Sequence, residues 1–144
     1  MRGKIMLDYL NIFSVLWKHF MAKRKGLSYE EKMIHALSKI PCPLEDKKHR
    51  IMIYFVNNRA RSNESRFEHI SLSRHDLYVG DVRRIVQHIN ESILKKDPER
   101  KNTYNLYIKR NNYGCEFIKI SLEIDFTKSN EAIVKTMFIT TNIK

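Results

Sequence analysis

At 144 residues the chain has room for one good hydrophobic core, which excludes a two-domain enzyme. With 42% apolar and 30% charged residues, four Gly and three Pro, it also excludes collagen-like, low-complexity and disordered readings. Twenty-seven Lys and Arg against 16 Asp and Glu leave a net charge of +11, which favours a polyanionic partner without separating nucleic acid, an acidic protein and an anionic membrane.

From Ile5 to Met21 apolar residues crowd the chain, and the polar exceptions Asp8, Asn11, Ser14 and Lys18 recur at helical spacing. The segment predicts a helix with one narrow wet stripe, to be covered by the core, by self-association or by a partner. Asp8 and Asn11 break the apolar run, and no small-residue cleavage pattern follows, so neither a signal peptide nor a membrane span is expected. Lys23-Arg24-Lys25 and Gly26 suit a helix end.

Ser28 stands at capping-box spacing before Glu31, and Met33, Ile34, Leu37 and Ile40 predict a second amphipathic helix ending at Pro41. Leu44 to His49 is polar and of mixed charge, which reads as a linker. The expected organisation is a helical extension over 1–48 and a core over 49–144.

Ile51 to Val56 predicts a buried strand, and Arg66 to Leu77 a short helix with Phe67, Ile70 and Leu77 on one face. Asp81 opens a better helix, with Val82, Ile85, Val86 and Ile89 inward and Arg83, Arg84 and Gln87 outward. The period then changes. Ile93 to Lys95, Thr103 to Lys109, Phe117 to Phe126 and Ile133 to Ile139 predict strands separated by turns at Asp97-Pro98, Asn111 to Gly114 and Thr127 to Glu131. Helices followed by an antiparallel meander read as an α+β fold.

Cys42 and Cys115 have no CxxC or Cys/His spacing, so neither a zinc site nor a disulfide scaffold is expected, and a reduced, cytoplasmic chain is the default. GxSxG, P-loop, GxGxxG and HExxH patterns are absent, as is a paired-carboxylate cluster with metal-ligand spacing.

The segment Phe67-Glu-His69-Ile-Ser-Leu-Ser-Arg74-His75 places two histidines and an arginine within seven residues, ahead of a helix and a terminal meander. In this arrangement the chain resembles the phage-associated branch of the barnase, EndoU and RelE-like (BECR) ribonucleases, over residues of about 50–143. The resemblance implies a toxin-like endoribonuclease that needs no metal or cofactor. The ribose 2′-hydroxyl attacks the adjacent phosphate and leaves a cyclic phosphate. It also implies RNA as substrate and an acidic antitoxin or immunity protein as partner.

Under that resemblance His69 or His75 handles protons and Arg74 holds phosphate. Lys109 or Arg110 neutralises the growing charge, and Thr140 or Thr141 hydrogen-bonds a phosphate oxygen. Neighbours on a strand face opposite ways, so one of each pair reaches a common pocket. Positions 69 and 75 differ by about 240° of net helical rotation, so one continuous helix does not aim both histidines at one place. Arg59, Arg61 and Arg66 are candidate phosphate contacts, and Tyr107 a candidate stacking surface for a base. Two rival readings fit the same residues: a catalytically silent RNA- or DNA-binding protein, and an interaction protein docked through its first helix.

Overall fold

The computed structural model describes residues 28–61, 63–73 and 76–143. The predicted helix over Ile5 to Met21, and the self-association assigned to it, lie outside these residues, as do Arg74 and His75.

Ser28 caps α1 (Tyr29–Ser38) as its spacing predicts, its hydroxyl accepting a hydrogen bond from Glu31 N at 3.2 Å. Met33 and Leu37, four residues apart, turn the buried face of α1 inward, and Ile40 is buried just beyond its end. The stretch expected as a linker holds a strand instead. Leu44–Asp46 is β1, antiparallel to β2 (Ile51–Tyr54), with Ile51 and Ile53 buried. Asp46 fixes the intervening turn, since its Oδ1 accepts from Lys48 N and His49 N.

A small ribbon of β3 (Arg59–Arg61) and β4 (Glu64–Ser65) leads into α2 (Arg66–Ser73). That helix starts where expected and stops four residues short of Leu77, which is buried on its own. Next, α3 (Val79–His88) begins two residues before Asp81, and the Asp81 carboxylate accepts a hydrogen bond from Tyr78 N at 2.8 Å. A single 3-10 turn (Ile89–Glu91) connects α3 to β5 (Ile93–Lys96). Then come β6 (Thr103–Lys109), β7 (Phe117–Glu123) and β8 (Glu131–Thr140).

The fold is α+β, with the predicted meander β5 to β8 intact. Six strands form a curled mixed sheet in the order β1-β2-β8-β7-β6-β5. Every pairing is antiparallel except β2 with β8, which is parallel and so requires the long crossover through α2, α3 and the meander. One sheet face carries Leu106, Ile108, Ile118, Ile120, Leu122 and Met137 into a core completed by Met33, Leu37, Phe67, Ile70, Val82 and Ile85 of the three helices. On the other face, the register sets Tyr107, Lys119 and Phe138 side by side, and Lys109, Phe117 and Thr140 in the next row.

Candidate functional site

Arg84, His88 and Glu91 follow one another at spacings of four and three, so they share one side of α3 and its 3-10 continuation. That side turns toward the end of β6. Arg84 donates from Nε to Lys109 O and from Nη2 to Asn112 Oδ1, both at 2.8 Å, and so pins the β6–β7 turn to the helix. Four residues on, His88 Nδ1 lies 2.7 Å from Glu91 Oε2. The carboxylate fixes the ring and selects the tautomer with the proton on Nδ1, leaving Nε2 able to accept one.

These groups meet at a cavity of about 120 Å³ lined by Arg84, His88, Glu91, Tyr107, Lys109 and Phe117, with Ile93, Ile108 and Asn112 completing the wall. It is far smaller than the pockets of about 300–1,000 Å³ that enclose whole drug-sized ligands, so it suits a single anionic group of a larger molecule. Two cations and one carboxylate border it, which leaves the balance positive. Lys109 is exposed and makes no ion pair among the described residues.

Of the sequence-predicted residues that the structure describes, Lys109 and Tyr107 line this cavity and the rest do not. His69 sits on α2, its Nδ1 2.7 Å from Glu64 Oε1, on the helix side of the sheet. Glu64 lines a separate, polar cavity of about 440 Å³ with Asn57, Asn58, Arg59, Asn63 and Ser65. Arg61 closes β3 beside it. Arg66 is committed to the frame, its guanidinium donating to Lys135 O at 2.9 Å and to Asn58 Oδ1 at 3.3 Å.

Thr140 shares the Lys109 row but lies two strands away, roughly 10 Å between backbones, and its hydroxyl hydrogen-bonds within its own turn to Asn142. Arg110 proves structural. It donates to both Asp81 oxygens, to Glu116 and to Asp76 O, and stands over the Tyr78 ring. Burial works against its charge, yet hydrogen bonds to Asp81 and Glu116 and their negative charges outweigh that and raise its pKa. Tyr107 is only 1% exposed, with Lys119 Nζ 5.8 Å from its ring centre, so it offers no open face on which a base could stack.

A third carboxylate–imidazole pair has a different role. Asp46 is fully buried and its Oδ2 lies 2.6 Å from His49 Nδ1, with the Ser92 hydroxyl at 3.4 Å. Ser92 approaches the same ring nitrogen that Asp46 holds, so the three do not form a proton relay. They tie the β1–β2 turn to the start of β5. Among the described residues no group of three or more His, Cys, Asp or Glu side chains is placed to hold a metal ion.

The sequence reading missed His88 and Glu91, and placed Arg84 simply outward. The signal was present in the i, i+4, i+7 spacing of Arg84, His88 and Glu91. No family model matches the chain, and no curated protein or solved structure is significantly similar to it. None of the described helices is long and apolar enough to cross a membrane.

Proposed function

We propose that the chain is a metal-independent endoribonuclease acting at the cavity between α3 and the end of β6. One observation carries the reading: a carboxylate-held imidazole and two cationic side chains, Arg84 and Lys109, line one cavity of a strongly basic chain. His88 takes the place that the family resemblance gave to His69 or His75.

In this reaction the 2′ oxygen of a ribose bonds to the adjacent phosphorus, and the bond from phosphorus to the 5′ oxygen breaks. His88 Nε2 takes the 2′-hydroxyl proton, while Glu91 keeps the ring oriented. Lys109 and Arg84 offset the charge growing on the nonbridging oxygens. The departing 5′ oxygen takes a proton from water, giving a cyclic phosphate and a free 5′-hydroxyl. A toxin-like role in the cytoplasm, restrained by an acidic antitoxin, belongs to the same reading; Cys42 and Cys115 are free and exposed, which fits a reducing compartment.

The test is cleavage of single-stranded RNA by the purified chain in excess EDTA. Expected products end in a cyclic phosphate, and a 2′-deoxy substitution at the cut position blocks cleavage. His88→Ala and Lys109→Ala should each lower the rate by about 10² or more. His69→Ala should leave it nearly unchanged, since His69 does not line the cavity. Loss of activity in His69→Ala with His88→Ala fully active would move the chemistry to the Glu64–His69 pair. Binding without cleavage would leave the silent nucleic-acid-binding reading.

A further inference from the structure

The groove between α1 and α3 encloses about 610 Å³ and shares no lining residue with the proposed catalytic cavity. Ala36, Ile40, Val79, Val82 and Val86 supply an apolar floor and walls. Lys32 and Ala36 of α1 are followed at the same spacing by its C-cap Lys39, and Val79, Val82 and Val86 recur along α3 at spacings of three and four. The rim carries three exposed cations, Lys32, Lys39 and Arg83, and no Asp or Glu lines the groove. None of the three makes an ion pair among the described residues, although unpaired cations beside an apolar surface are costly to cover with anything except an anion.

We propose that this groove binds an amphipathic helix of a partner protein, with apolar anchors at i, i+3 or i+4, and i+7 and acidic residues flanking them. A trough between two helices is the shape that accepts such a helix, and its lining is apolar apart from His35, Gln87 and the three cations. The charges name the partner. The chain's own apolar segment, Ile5 to Met21, contains Asp8 as its sole acid and is flanked by Arg2, Lys4, Lys23, Arg24 and Lys25, so it would bring like charge to the rim, whether from this copy or a second one. An acidic helix from a different protein complements it.

The experiment titrates the full chain with three fluorescent peptides of about 15 residues, or about four helical turns. One carries Leu at i, i+3 and i+7 with Glu at most other positions, one replaces each Glu by Lys, and one scrambles the Glu peptide. The Glu helix should bind at least about tenfold more tightly than either control. It should weaken by about tenfold or more against the Lys32→Glu, Lys39→Glu, Arg83→Glu triple variant, whose changes are all at exposed positions and whose folding is checked by its unfolding midpoint. Equal binding of the Lys or scrambled peptide, no binding of any peptide, or an unaffected triple variant would overturn the proposal. So would a single-stranded RNA that displaces the Glu helix and loses the same affinity in the triple variant, because the rim would then belong to nucleic acid.

Discussion

Lys109 and Arg110 are neighbours in sequence and opposites in environment. Strand alternation alone shows that they face different ways, and that much was legible. Which of them is committed to protein was not, because Asp81 lies 29 residues upstream and reaches Arg110 only through the packing of α3 on the sheet. Removing that guanidinium leaves the buried Asp81 without its ion-pair partner. Arg110→Ala should therefore cost about 3 kcal/mol in urea unfolding at pH 7, and Arg110→Lys should recover only part of it, since an ammonium cannot reproduce the fork. A loss of RNA cleavage without loss of stability in Arg110→Ala would return this residue to the site.

Asp97 gives a pH-dependent counterpart. Backbone hydrogen bonds from Glu99 and Arg100 and a side-chain bond from Asn105 hold its carboxyl at about 2, below the ordinary 3.8. A depressed pKa means that the folded state favours the charged form, so the stabilisation is present above about pH 4 and is lost as the pH falls through 2. Asp97→Asn should lower the unfolding midpoint at neutral pH, and the gap from the wild-type chain should close between pH 4 and 2. A gap that stays constant across that range would show that Asp97 acts through shape alone.

At the scale of elements, the meander was readable because its signal is local: Leu106 and Ile108, or Ile118, Ile120 and Leu122, alternate with polar neighbours over seven residues. The first edge of the sheet was not. In Leu44-Glu-Asp46 one of the two buried residues is an aspartate, and a buried aspartate in a string of charges looks like a linker until its partners are known. Those partners are Lys48 N, His49 N, His49 Nδ1 and the Ser92 hydroxyl, and Ser92 lies 46 residues away. Likewise, no local pattern announces that β2 runs parallel to β8.

If Asp46 anchors β1, Asp46→Ala should destabilise by roughly 3 kcal/mol, because one buried and three part-buried donors lose their acceptor together. Amide exchange over residues 44–53 should speed up before the rest of the sheet. By comparison, Tyr29 joins α1 to the segment before α3 with a hydrogen bond from its hydroxyl to Leu77 O at 2.6 Å. Tyr29→Phe should cost only about 1 kcal/mol. Equal effects of the two variants would show that the Asp46 cluster is no more than one ordinary contact.

Over the whole molecule, the +11 charge is legible at a glance, but its division of labour is not. Arg66 and Arg110 spend their charge inside the frame, while Arg59, Lys109 and the rim of the α1–α3 groove present theirs to solvent. Only the outward set can exchange counterions for phosphate, so RNA binding should weaken steeply as salt rises. The measurement uses the His88→Ala chain, which should bind without cutting. Log affinity should fall linearly with log salt, and Lys109→Glu should weaken binding and flatten the slope by about one or more. Arg59→Glu should do the same if the β3–β4 ribbon also touches RNA. Arg66→Glu should instead show its main effect as lost stability, because Lys135 O and Asn58 Oδ1 lose their donor. Affinity that ignores salt, or a slope unchanged in Lys109→Glu, would remove RNA phosphate from the α3–β6 cavity and leave the charge to a protein partner.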